Sequence, residues 1–169
     1  MSRLEELTRK VDAFFARVTE RHGEAMQCQT GCSDCCHVRL TITGVEAGAI
    51  RAHVAAWPAE RRRALAEDAA HPAGHCAALD PAGRCKIYDA RPLVCRSHGV
   101  PIRLRRGALP VVEACYRNFT HTAPDPDCVL DQATLSATVL ALDRAEADPA
   151  ISPGKRVELA GLLAELAAI

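Results

Sequence analysis

Four cysteines fall within nine residues, in the order Cys28-x3-Cys32-x2-Cys35-Cys36. Two or three intervening residues let a loop turn two sulfurs onto one ion, about 2.3 Å from each for zinc. Gly31 supplies the permissive backbone such a knuckle needs. Cysteines buried as small hydrophobes would follow helical or strand spacing, and this cluster follows neither. Neighbouring side chains in extended backbone diverge, so Cys35 and Cys36 can serve two metals or two edges of one cluster. A second set is spread out as Cys76-x8-Cys85-x9-Cys95, with Cys115 twenty residues beyond. Asp80-Pro81-Ala82-Gly83 reads as a turn that brings Cys76 and Cys85 together. Cys28, Cys32, Cys35, Cys36, Cys76, Cys85, Cys95 and Cys115 make eight sulfurs, the number for two four-sulfur sites.

The ninth cysteine reads differently. Cys128 follows Asp125-Pro126-Asp127, whose carboxylates would raise a thiol's pKa. It leads directly into Val129 and Leu130, so it reads as the apolar approach to the next helix, outside the ligand set. Among the histidines, His37 follows the cysteine pair and His98 lies three residues after Cys95, so these two are best placed to replace a sulfur. A lone loop histidine is more often a surface or hydrogen-bonded residue. His71, His75 and His121 rank below them.

An odd number of cysteines argues against complete internal pairing, and 169 residues suffice for one core without staples. The N-terminus MSRLEELTRKVD is charged and periodic, unlike a signal peptide, and no run approaches a membrane span of about 18 apolar residues. These features predict a cytoplasmic protein, where structural disulfides are rare and cysteines mean metal, redox chemistry or burial. Charge is balanced at 21 Lys+Arg against 21 Asp+Glu, and aromatic residues are 4% of the chain. Nucleic-acid binding wants a basic face and stacking surface, so neither a nucleic-acid nor a membrane partner is expected. The run Arg61-Arg62-Arg63 sits with Glu60, Glu67 and Asp68 and reads as a solvated helix face. No nucleotide-binding glycine loop and no serine-histidine-acid set is visible.

The elements that must position the cysteines are mainly helical. Ser2 and Glu5 make a capping box ahead of Leu4, Leu7, Val11, Phe14, Phe15 and Val18, which predicts a helix over 2–23. Val38 to Ile42 alternates and suits a short extended piece. Thr43 and Glu46 repeat the capping box for a helix with Val45, Ile50 and Val54 inward. Trp57-Pro58 ends it and Pro58 opens another, through Ala70. From His71 to Pro126 regular pattern is scarce, so metal is expected to order the segment. Val100–Arg105 and Val111–Cys115 flank a Gly107–Pro110 turn and leave room for one short hairpin. Asp89 and Pro92 can cap a short helix before Cys95. Two helices close the chain. One runs over 131–147 with Leu135, Val139 and Leu142 inward. The other runs over 153–169 with Pro153 in its first turn and Leu159, Leu162, Leu163, Leu166 and Ile169 inward. The expected fold is a mainly α, small single domain spanning 1–169, with an irregular, metal-ordered cysteine-rich middle over 28–128.

Cys32-x2-Cys35-Cys36, then Cys76-x2-Leu79, then the unbroken block Gly83-Arg84-Cys85-Lys86-Ile87-Tyr88-Asp89-Ala90-Arg91-Pro92-Leu93-Val94-Cys95-Arg96 resembles the YkgJ-like cysteine-cluster family of zinc- or iron-chelating proteins. The resemblance covers about residues 28–119. Cys28 fits one spacing variant, Cys115 sits where the family often has another cysteine, and Cys128 has no counterpart. A related domain occurs in a bacterial flagellin lysine methylase associated with an iron-sulfur cluster, which implies iron-sulfur chemistry in the family without assigning catalysis here.

Between ligands, Ile87 and Tyr88 are expected to pack as a lid. Arg91 and Arg96 are expected to offset the charge of a four-thiolate site, near −2 with Zn²⁺, or else to pair with Asp80 or Asp89. Three functions compete. The first is an iron-sulfur protein with a redox role. The second is a structural zinc module that binds a protein partner. The third is a store or carrier of soft metal, copper or zinc, in a shared thiolate cluster.

Overall fold

The computed structural model describes residues 1–70, 74–146, 151–152 and 154–166. Among these the fold is mainly α, with six α-helices and short strands in two small sheets. They fall into two compact units, each drawn from two stretches of chain: Met1–Gln29 with Leu93–Val139, and Thr30–Pro92 with Leu140–Ile169.

The first unit opens with α1, Arg3–His22, started by Ser2. The Ser2 hydroxyl accepts from Glu5 N–H at 3.1 Å while the Glu5 carboxylate accepts from Ser2 N–H at 2.7 Å, the reciprocal box that satisfies two orphan donors. Leu4, Val11 and Val18 recur at seven-residue steps and form its buried stripe. Helix α4, Leu93–Ser97, packs on α1, and the buried Arg96 guanidinium reaches across to Asp12 at 2.6 Å. The expected hairpin is present as β2, Ile102–Arg106, antiparallel to β3, Leu109–Glu113, with Gly107 at φ 61° in the turn. Strand β4, Leu130–Asp131, lies parallel on the other side of β2, after a 3₁₀ turn at Pro126–Cys128. Val18, Met26, Val100 and Cys128 are buried together, flanked by Phe14, Phe15 and Phe119.

In the second unit β1 is Thr41–Ile42, followed by α2, Gly44–Ala55, and α3, Ala59–Ala70. The Thr43 and Glu46 capping box is buried, and Asp143 beside it accepts from Val45 N–H at 2.9 Å and from Gly154 N–H at 2.9 Å. That carboxylate sits at the positive end of α2, where negative charge is stabilised. Helix α5, Gln132–Glu146, belongs to the first unit up to Val139 and to the second from Leu140. Ile42, Ile50, Val54, Leu65, Ile87, Leu162, Leu163 and Leu166 are central to the core of this unit.

The last helix departs from the expected 153–169. Residues 154–158 are not helical; β5, Val157–Glu158, pairs antiparallel with β1, and α6 runs only over Leu159–Glu165. The cause is a competing non-local partner. Leu159 N–H donates to Leu40 O at 2.9 Å, and the Arg156 guanidinium donates to the Thr41 carbonyl, so the ladder takes groups that an early helix turn would use. Pro153, Ala147 and Ile169, at the expected helix ends, lie outside the described residues.

Candidate metal centre

None of the nine cysteines is joined in a disulfide. The second unit contains five of them: Cys32, Cys35, Cys36, Cys76 and Cys85. Gly31 turns the loop at φ 90°, and Asp34–Cys36 winds into a 3₁₀ turn closed by Cys36 N–H on Ser33 O at 2.8 Å. Forty residues later the chain returns, and Cys76 N–H donates to Cys36 O at 2.6 Å. Cys76 is thereby tied by its backbone to the knuckle.

The Asp80 turn brings Cys85 back as the sequence suggested. The Asp80 carboxylate accepts from Ala82 N–H, Arg84 N–H and Arg84 Nε at 2.8–2.9 Å. Asp80 N–H donates to Arg84 O and Lys86 N–H to Ala78 O, and Leu79 and Cys85 form an isolated bridge. Gly83, at φ 76°, rests on the knuckle: a Cβ there would lie 3.1 Å from Gly31 O and 3.5 Å from Ser33 Oγ. Glycine at both 31 and 83 lets these two turns touch.

The sulfurs of this unit sense one another. Burial pushes the Cys76 thiol up; the Ala78 N–H opposes this, the nearby Cys35 adds to it and Lys86 opposes it. Burial likewise pushes the Cys85 thiol up, the Ile87 N–H lowers it, Cys76 raises it, Arg91 lowers it and Cys35 raises it. Mutual repulsion among partly buried thiolates is relieved by a cation, so this donor set fits a soft or borderline metal. Arg91 takes the expected place beside Cys85 and stacks 3.8 Å over the Tyr88 ring. The lid divides in two: Ile87 is buried in the core, whereas Tyr88 is 58% exposed. Arg96 pairs with Asp12, and Asp80 pairs with Arg84.

The first unit contains Cys28, Cys95, Cys115 and Cys128. Cys28 is held by residues that the sequence did not single out. The Asn118 side chain is buried; its Oδ1 accepts from Gln27 N–H at 2.8 Å and its Nδ2 donates to Gly99 O at 2.7 Å and to Cys28 Sγ at 3.3 Å. Gly99, at φ 101°, faces the sulfur so closely that a Cβ would lie 2.5 Å from it. Asn118 N–H also donates to Cys115 O, which places Cys115 one turn from this amide. Cys95 is exposed on α4. In neither unit, among the described residues, do three of the eight expected ligand sulfurs come within 4.8 Å of one another. His37 and His75 meet edge to face at 6.4 Å, and His71 lies outside the described residues.

The model of the CxxCxxCC family, described as "putative zinc- or iron-chelating domain", matches residues 27–123, more than half of the chain. The chain belongs to this family. The matched span includes the eight expected ligands and ends before Cys128. Metal chelation by zinc or iron is the property that comes with the family. Comparison with curated proteins and with solved structures finds no match. No helix among the described residues is long and apolar enough to cross a membrane.

Proposed function

We propose that this chelating chain holds one or two thiolate-rich centres on Cys28, Cys32, Cys35, Cys36, Cys76, Cys85, Cys95 and Cys115, with an iron-sulfur cluster as the resident group and a redox role in the cytoplasm. The observation that carries the reading is the hydrogen bond from Cys76 N–H to Cys36 O, which draws the two halves of the motif together without using a side chain. No disulfide joins the five cysteines of that unit. The eight sulfurs are the number for two four-sulfur centres, iron-sulfur clusters among them. Bound there, such a cluster supplies one-electron transfer at a potential set by its hydrogen bonds and exposure. Arg91 and the Ala78 and Ile87 N–H groups are the groups of this unit that would tune it.

A structural zinc module is the second reading. It is favoured by apolar side chains exposed near Cys115: Leu109 at 70%, Val112 at 51% and Tyr116 at 73%, which suit a protein partner. Anaerobic purification of the full chain decides between the two. A brown protein with iron and acid-labile sulfide in equal amounts is expected. A colourless protein with zinc and no sulfide would establish the module reading instead, and copper would point to storage or delivery.

A further inference from the structure

Outside the matched span, three side chains of different donor type converge in the first unit. One ligand atom each from His22, Asp125 and Cys128 lies within 4.8 Å of the other two. His22 ends α1, Asp125 precedes the 3₁₀ turn, and Cys128 closes that turn, its N–H donating to Asp125 O at 2.9 Å. We propose that His22, Asp125 and Cys128 form a second, separate metal site for a borderline divalent cation such as Zn²⁺, with one position open to solvent.

The donor set is the first argument. Imidazole, carboxylate and thiolate are the three ligand types of zinc sites, and three protein ligands leave a fourth place for water. The separations suit it as well. His22 Nε2 lies 3.3 Å from Asp125 Oδ2. Two light ligands at about 2.0–2.1 Å from a tetrahedral ion stand about 3.3–3.4 Å apart. Cys128 packs in the apolar core of this unit, and its sulfur lies at the edge of that core that meets His22 and Asp125.

The surroundings hold the donors in place. The Phe119 ring packs edge-on against the His22 ring at 5.3 Å. Phe119 has φ 54°, a conformation in which a bulky residue is an outlier, kept by its N–H donating to Ala25 O at 2.9 Å. Asp125 N–H also points to His22 Nε2 at 3.4 Å, a long contact that an ion bound at this nitrogen would displace. Arg21 lies beside the site: it pairs with Asp127 at 2.5 Å, stands 4.0 Å from Asp125 and contacts the Cys128 side chain, so a bound cation would displace it toward Asp127. A divalent ion would be balanced by one thiolate and one carboxylate. Val18, Met26 and Val100 pack around Cys128 and wall the sulfur from water, whereas the Asp125 side faces solvent and gives an entry path. The inference does not depend on which metal the eight-cysteine centre holds.

The test uses full-length protein with its native centre loaded, equilibrated with Zn²⁺ and, in parallel, with Co²⁺ as a spectroscopic probe. Wild type should retain one more equivalent of Zn²⁺ than His22→Gln and Asp125→Asn, or bind that equivalent at least about tenfold more tightly. Cobalt should show a sulfur-to-metal charge-transfer band that Cys128→Ser abolishes. The iron, sulfide or zinc of the eight-cysteine centre should be unchanged in all three variants. Because the Asp125 side chain is 55% exposed, Asp125→Asn keeps the fold even if Cys128→Ser does not. Equal stoichiometry and affinity in Asp125→Asn and wild type would overturn the site, and so would loss of every bound metal in Asp125→Asn.

Discussion

At the scale of single residues, the sites that matter most are those where chemistry and backbone meet. Gly99 is the clearest case, since it combines φ 101° with a neighbouring sulfur 2.5 Å from where a Cβ would stand. Gly99→Ala must both strain the backbone and push Cys28 from the Asn118 amide. A loss of about 2 kcal/mol or more is expected by denaturant unfolding, together with weaker retention of metal. Gly107, at φ 61° in the hairpin turn, has open space around it, and Asn is among the residues that best tolerate the left-handed region, so Gly107→Asn should cost no more than about 1 kcal/mol and Gly107→Val more. The thiols make a second prediction, in pH. Burial holds Cys76 and Cys85 above the ordinary thiol range. Metal must displace those protons, so affinity should rise by up to about tenfold per pH unit for each thiol still protonated. The metal-free protein should behave oppositely. A thiol raised on folding contributes stability that is present below its unfolded pKa and lost as pH rises through the folded one. Chelator competition across pH 6.5–8.5, and urea unfolding of the stripped protein from about pH 8 upward through and beyond the ordinary thiol pKa of about 8.5, check the two signs. The cysteine pattern made the candidate ligands legible, because ligand spacing is local. Asn118, Gly99 and the His22–Asp125–Cys128 group were not legible, because about 70 to 105 residues separate the parts that meet.

At the scale of elements, the helices legible in the sequence are those that carry their own start signals. Ser2 with Glu5 and Thr43 with Glu46 form the expected boxes, and Pro58 precedes α3. The hairpin follows from its turn. The sequence put a helix start at Ser152 because Pro153 is a local signal, while the force that keeps 154–158 out of a helix is pairing with Thr41 and Ile42, more than a hundred residues away. The same region explains why a buried aspartate is placed at 143. Asp143 ties the start of α2 to the turn at Gly154. Asp143→Ala leaves two N–H groups without that acceptor, one of them in the core, and should cost about 2–4 kcal/mol in urea unfolding. Asp143→Asn, which keeps one acceptor oxygen, should cost less.

At the scale of the whole molecule, neither compact unit is a continuous stretch of chain. The chain passes from one to the other after residues 29, 92 and 139. The Cys28-to-Cys36 cluster is itself divided at the first of these crossings, and the Gly83-to-Arg96 block at the second. Metal should matter most where regular structure is sparse. On removal of metal, amides of residues 74–126 should exchange faster in hydrogen-exchange mass spectrometry, while α1, α2 and α6, whose amides are bonded within regular helices with buried apolar faces, keep their protection. Equal protection of 74–126 with and without metal would mean that the segment is ordered by its packing alone.

The central claim is that the cysteines serve as ligands. It is tested most directly by X-ray absorption at the metal edge of anaerobically purified full-length protein, wild type beside Cys85→Ser. A first shell dominated by sulfur at about 2.3 Å is expected in wild type, with a reduced metal content in the variant. A first shell of nitrogen and oxygen alone, or unchanged metal and an unchanged shell in Cys85→Ser, would contradict it.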